Sequence, residues 1–204
     1  AALERTLDWA KAERADLILI GEHPPLDPAG MLIDDYPYRL DTGIAPDRPF
    51  CIRIVAYSRT PIVGGAIHDG PGPNHRPILT LAVSVADRTL NIIAAHPVPP
   101  HTTSLTQERD RHIALLSAHT REPFVLAGDF NVTPWSPGFK AIPGRRVGAY
   151  LLAPTWFNNL PLLGLPIDHI MVSPTLKPSQ YRVAGPTGSD HRAIKARVHL
   201  AAKQ

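Results

Sequence analysis

The chain has 204 residues, 44% hydrophobic and 19% charged, with a formal net charge of +3. A domain of that length buries roughly 70% of its unfolded surface, the composition excludes a mostly disordered chain, and no apolar run approaches the ~20 residues of a membrane span. The lone cysteine, Cys51, excludes an internal disulfide and a cysteine-based metal cluster.

The opening "AALERTLDWAKAERADLILIGEH" lacks the basic start and apolar core of a secretion signal. Leu3, Leu7 and Ala10 instead keep helical spacing to about Arg14, and "DLILIG" follows as a buried strand. "CIRIVAYS", "PILTLAVSV" and "TLNIIAAH" are β-rich, and the short "ADR" between the last two predicts a hairpin. Leu105, Ile113 and Leu116 predict a helix from about Ser104 to Thr120, before the strand "PFVLAG". "IDHIMVS" and "AIKARVHL" complete the strands. The 23 prolines cluster in "HPPLDPAG", "DGPGPNHRP", "HPVPPH" and "PTWFNNLPLLGLP", which predicts long ordered loops between short elements. Parallel and antiparallel signals alternate with helices, as expected of a single domain over residues 1–204 with mixed sheets covered on their outer faces. Basic residues are scattered. "GRRVGAY" comes closest to a basic stripe and is read as a solvated loop, which disfavours a dedicated nucleic-acid binder.

Polar residues gather where the strands end. "LILIGE" closes in Glu22, "NIIAAH" in His96 and "FVLAGDFN" in Asp129 and Asn131. "PIDHI" opens its strand with Asp168, and "GSDH" sets Asp190 and His191 just before the last strand. Sheet ends and their loops are where α/β proteins collect ligands. Taken singly, Glu22 fits a loop cap, Asp129 and Asn131 fit a turn, and His96 before Pro97 fits a surface loop. His23, His68, His75, His101, His112 and His119 lack a partner pattern and carry no assigned role.

The order of an early strand-final acid, "YSRTPI", a strand-final histidine, "GDFN", "PTW", "IDHI" and "GSDH" resembles the endonuclease/exonuclease/phosphatase superfamily, the deoxyribonuclease-I-like hydrolases. The resemblance covers nearly the whole chain. It implies an α/β (α+β) four-layer sandwich of two packed mixed β-sheets flanked by helices, and a divalent-metal-dependent phosphoester hydrolase. By that resemblance Glu22 and Asp190 would serve a Mg²⁺ or Mn²⁺ ion, directly or through water, since a hard cation prefers carboxylate oxygen. Asp129 would orient the attacking water or accept its proton. Asn131, two residues on and facing the same way along an extended segment, would donate to a phosphate oxygen. His191 would face the phosphoryl oxygens while Asp168 holds its other nitrogen, and His96 would protonate the leaving group. The resemblance also selects Asp168 over His169 as the inward member of its pair. Arg59 is left between a substrate contact and a surface salt bridge, and Trp156 between cleft rim and core.

Family members usually begin with a strand, ending in asparagine, ahead of the first helix. This chain opens in the helix, so it is expected to be part of a longer protein and to leave a gap or an unpaired edge in one sheet. Some bacterial members of this arrangement carry membrane helices before the hydrolase domain, which implies a membrane-tethered parent. No oligomeric state follows from these motifs. The modest charge tips the expected substrate toward a small or lipid-linked phosphodiester. Nucleic acid is the first alternative, a nuclease of the same fold. The second is a non-catalytic binding domain with a degenerate metal site. A calcineurin-type dinuclear phosphatase would need a downstream Gly-Asn-His-Asp/Glu motif, which is absent.

Overall fold

In β3 (Ile54–Ser58), Ile54 and Ala56 face one core while Val55 and Tyr57 face another. The two-residue period of a strand buried on both faces therefore separates two layers at once. The computed structural model describes residues 2–24, 35–43, 52–149, 152–157 and 163–201. Cys51 and the middle of "PTWFNNLPLLGLP" lie outside them, as does most of "HPPLDPAG".

Helix α1 (Ala2–Ala12) sets Leu7 and Ala10 against Ile18, Val55 and Tyr57. Beneath it lies an antiparallel sheet in the order β1-β3-β2, with β1 spanning Leu17–Gly21 and β2 spanning Tyr38–Asp41. The second layer of strands begins with β4 (Ile62–His68), β5 (Ile78–Val85) and β6 (Arg88–Ala95). After helix α2 (Thr103–Leu115) it continues with β7 (Phe124–Asp129), β8 (Arg145–Arg146) and β9 (Asp168–Val172). These form a six-stranded sheet in the order β4-β5-β6-β7-β9-β8, antiparallel except for the parallel β6–β7 pair. Strands β10 (Leu176–Val183) and β11 (Ile194–Leu200) pair with each other.

The core between the layers takes Ile54 and Ala56 from β3, Leu79, Leu81 and Val83 from β5, and Val172 from β9, with Ala196 and Val198 of β11 packed against them. On the far face Ile78, Ile93 and Leu126 meet Ile113 and Leu116. The result is a four-layer α/β sandwich with helices outermost. Among the described residues β1 pairs with β3 alone, and neither strand of the β10–β11 ribbon pairs with a strand of another sheet.

Several local features follow directly from residue type. The hairpin predicted at "ADR" turns on Ala86 and Asp87, both at positive φ (48° and 58°), the twist a two-residue β-turn requires. Thr102 caps α2 by accepting from the Leu105 N–H, and the helix tightens into a 3-10 turn over Leu116–His119 before the predicted end at Thr120. "GRRVGAY" is not a solvated loop. Its arginines form β8 at the sheet edge, and Arg146, Val147 and Gly148 are buried.

Candidate active site

Strand pairing brings the polar residues together. β6 and β7 run parallel, so His96, one residue past β6, and Asp129, closing β7, emerge at the same edge. β9 runs antiparallel to β7 and starts with Asp168 directly opposite Asp129. Cross-strand partners share a face, so two carboxylates meet there by register alone. Glu22 follows the end of β1, at φ 53°. His191 reaches the cluster from the β10–β11 loop and is pinned by a bridge to Trp156.

Gly128 makes this edge possible. Its φ is 154°, and a Cβ there would sit well inside contact distance of the Ala95 carbonyl oxygen. Gly128→Ala is expected to destabilise the fold by about 3 kcal/mol or more, read as a lower urea midpoint. An unchanged midpoint would contradict this packing.

One oxygen organises the cluster. Asp129 Oδ2 lies 3.3 Å from His96 Nε2 and 3.8 Å from His191 Nε2, while His191 Nδ1 donates to Asp168 Oδ2 at 2.9 Å. His96 Nε2 is also 3.8 Å from Glu22 Oε1. Burial, reinforced by the charge of Asp168, pushes the Asp129 carboxyl up to about 8. Burial likewise holds His96 down at about 3, with Arg76 adding to the effect. The His96–Asp129 pair thus shares one proton near neutrality. Burial also opposes charge on His191, but the Asp168 hydrogen bond and the charges of Asp168, Asp129 and Asp190 outweigh it and raise the imidazole to about 9. Near neutrality His191 is therefore a cation between Asp168 and Asp129.

A sequence model of the Endonuclease/Exonuclease/phosphatase family matches residues 1–191. The chain belongs to this family. Family members are hydrolases of phosphoester bonds and are generally dependent on a divalent metal. No curated protein sequence matches the chain. Among solved structures, an endonuclease/exonuclease/phosphatase from Beutenbergia cavernae aligns with TM-score 0.73 and 19% identity, covering 96% of this chain. The chain spans 65% of the length of that protein. TDP2 of D. rerio, complexed with a single-strand DNA product, aligns with TM-score 0.76 and 14% identity, over 98% of this chain and 92% of its own. The 3′ phosphatase NExo from Neisseria, bound to a product DNA hairpin, gives 0.70 and 17%, over 97% and 94%. At these identities the likeness establishes the fold.

The donor set suits the family's divalent cation. Ligand atoms of Asp129, Asp168 and His191 lie within 4.8 Å of one another. Two facing carboxylates, one kept protonated by crowding and burial, form a site that a hard dication would relieve. This tight group differs from the pair expected from the resemblance. Glu22 stands at the rim with its side chain 65% exposed, and Asp190 is exposed beside Ser189 Oγ at 3.5 Å.

Asn131, at φ 50°, donates its amide to Pro97 O at 3.0 Å, and its N–H donates to Asp129 Oδ1 at 2.8 Å. The carboxamide thereby fastens the Asp129–Asn131 loop to the segment after His96. Three supports were not visible in the sequence. Buried Arg109 of α2 donates to Asn131 O at 3.0 Å. Arg5 of α1 donates to Thr187 O at 2.7 Å, bracing the loop ahead of Asp190 and His191. His169 donates from Nε2 to Val132 O at 2.8 Å while its Nδ1 accepts from Arg146 Nε at 3.2 Å. Each joins residues far apart in the chain, so no local pattern announces it. His23 is structural, its nitrogens taken by Pro24 O and the Tyr57 hydroxyl. Arg59 lies over the Tyr36 ring at 5.0 Å, and Trp156 packs on Phe157 at 4.2 Å.

Proposed function

We propose that the chain acts as one hydrolase domain that cleaves a phosphodiester with Mg²⁺ or Mn²⁺, and that Glu22, His96, Asp129, Asn131, Asp168, Asp190 and His191 carry the reaction. The observation that carries this reading is the pairing of Asp129 with Asp168 across β7–β9, with two imidazoles converging on one Asp129 oxygen. In this reading Glu22 and Asp190 serve the metal together with the facing carboxylates. When bound, the cation would neutralise phosphoryl oxygens and lower the pKa of water. Asp129, ionised under those conditions, orients the water and takes its proton. His191, held in register by Asp168, presents N–H to the oxygens that gain charge. His96 donates its hydrogen bond toward the leaving oxygen, and a positioned group of this kind contributes roughly 10²–10⁴-fold. Asn131 joins it once its amide swings from Pro97 O to a phosphate oxygen.

A small or lipid-linked substrate is favoured by the surface around the opening. Trp135 follows the Asp129–Asn131 loop at 62% exposure, and Phe157 is exposed and packs on Trp156, which bridges to His191. Exposed large apolar side chains beside a phosphoryl site suit a substrate with an apolar body. The resemblance to bacterial members with membrane helices supports a membrane-tethered parent as part of the same proposal. Among the described residues no helix is long and apolar enough to cross a membrane. The nuclease reading is the alternative, favoured by the DNA products bound to TDP2 and NExo.

A panel of phospholipid vesicles, bis(p-nitrophenyl) phosphate, nucleotides and plasmid DNA, each with added Mn²⁺, separates these readings. Vesicle or small-diester turnover exceeding plasmid nicking is expected. Plasmid nicking with steep salt dependence would favour the nuclease, and no turnover of any substrate together with no Mn²⁺ binding would leave only a binding domain.

A further inference from the structure

The loop that carries Asp190 and His191 joins two strands that, among the described residues, pair only with each other. Helix α1 ties this ribbon down at two points. Arg182 of β10 and Lys195 of β11, opposite each other in the register, both reach Glu13, which follows the helix. Lys195 Nζ donates to Glu13 Oε2 and to Glu13 O, each at 2.7 Å, and Arg182 Nη1 donates to Oε1 at 3.4 Å. Toward the start of the helix the contacts pass to the loop itself. Arg5 Nε donates to Thr187 O at 2.7 Å, and Thr6 Oγ1 donates to Thr187 Oγ1 at 3.0 Å.

The residue after Thr187 is a pivot. Gly188 sits at φ 88°, and a Cβ there would fall 1.8 Å from Arg5 Nη2. The guanidinium therefore lies against the glycine, in the place a side chain would fill. Glycine leaves the backbone free to turn either way, and Arg5 blocks that freedom on the side of α1. Asp190 and His191 follow directly on Ser189, whose Oγ accepts from the His191 N–H at 3.1 Å. On the other side His191 bridges to Trp156, and the Arg192 N–H donates to Thr155 O at 2.6 Å.

We infer that Arg5 is a positioning residue for His191 and acts through Gly188. It touches no reacting atom. It holds the loop where His191 Nδ1 meets Asp168 Oδ2 at 2.9 Å and Nε2 stands 3.8 Å from Asp129 Oδ2. A displacement of ~1 Å in a group of this kind costs up to about 10²-fold in rate. Charge alone does not supply the restraint. Lysine carries a point charge on a flexible stem, whereas the guanidinium fork bonds the Thr187 carbonyl and lies flat on Gly188 at once.

The consequence for rate rests on the hydrolase reading; the consequence for geometry does not. Proton NMR of the metal-free protein near pH 7 follows the His191 Nδ1–H in its bond to Asp168, a downfield signal identified by its loss in His191→Gln. In Arg5→Ala, and in Gly188→Ala, which displaces the guanidinium, that proton is expected to exchange with water about tenfold faster. In both variants kcat on bis(p-nitrophenyl) phosphate with Mn²⁺ is expected to fall about tenfold at unchanged KM. Arg5→Lys is expected to behave like Arg5→Ala. Arg182→Ala, on the same helix–ribbon contact but away from the loop, is expected to change neither readout. A lower urea midpoint in Arg5→Ala with the exchange rate and kcat unchanged would mark a merely structural contact and overturn the inference. If the unaltered protein turns over no phosphoester, the hydrolase reading fails, and the exchange rate still decides the positioning.

Discussion

Replacing Asp129 with asparagine is expected to lower phosphoester hydrolysis about a thousandfold or more and, at the same time, to raise the melting temperature of the metal-free protein at pH 8. Both effects come from one carboxyl. Its buried position opposite Asp168 raises its pKa to about 8. Between the ordinary carboxylate range and that value the folded state holds a proton that the unfolded chain has lost. The stability from that proton is full at low pH and fades as pH rises through 8. At pH 8 and above, the folded protein carries a crowded buried anion. Asparagine removes that charge and keeps an oxygen to accept from the Asn131 N–H. The gain expected is on the order of 2 kcal/mol, since His191 already offsets part of the repulsion. Retained activity, or a lower melting temperature, would show that Asp129 is neither the catalytic carboxylate nor under electrostatic strain.

The second large effect is acid sensitivity. His112 and His169 are buried and held neutral, each at about 4, chiefly by desolvation, with Arg76 adding to the effect at His112. The unfolded chain protonates both near 6.5. Because their folded values lie below the unfolded ones, their cost is absent above about pH 7 and grows as pH falls from 6.5 toward 4. Each would remove up to about 3 kcal/mol across that window. The His96–Asp129 pair carries one proton in both states there, so it neither adds to nor cancels this loss. Urea midpoints measured at half-unit intervals from pH 7.5 to 4.5 should fall steeply, and His112→Gln should remove about one proton from the slope. A flat profile would contradict the burial of these imidazoles.

His112 also shows where sequence reasoning stops. Apolar runs and strand-end polar residues marked β1, β3, β5, β6, β7, β9 and β11; in β3, for example, burial on both faces leaves an uninterrupted apolar run, whereas β11 shows only an alternation. β4 escaped notice because Gly64 and Gly65 sit in its middle, and β10 because Pro178 and the bulge at Gln180 break its pattern. Asp129, Asp168 and His191 were visible through their motifs, and strand register then accounts for their meeting. The braces were not. Arg5 with Thr187, Arg109 with Asn131 and Arg146 with His169 are single hydrogen bonds between distant segments, and an arginine in a helix or at a strand edge looks solvated until packing assigns it a partner.

The central claim is that the Asp129–Asp168–His191 cluster takes up a divalent cation in place of a proton. Calorimetric titration of the protein with Mn²⁺ at pH 7, in buffers of different ionisation enthalpy, tests it most directly. Binding of one ion with release of about one proton is expected, because Asp129 is protonated beforehand; binding without proton release, or equally tight binding by Asp129→Asn, would contradict it.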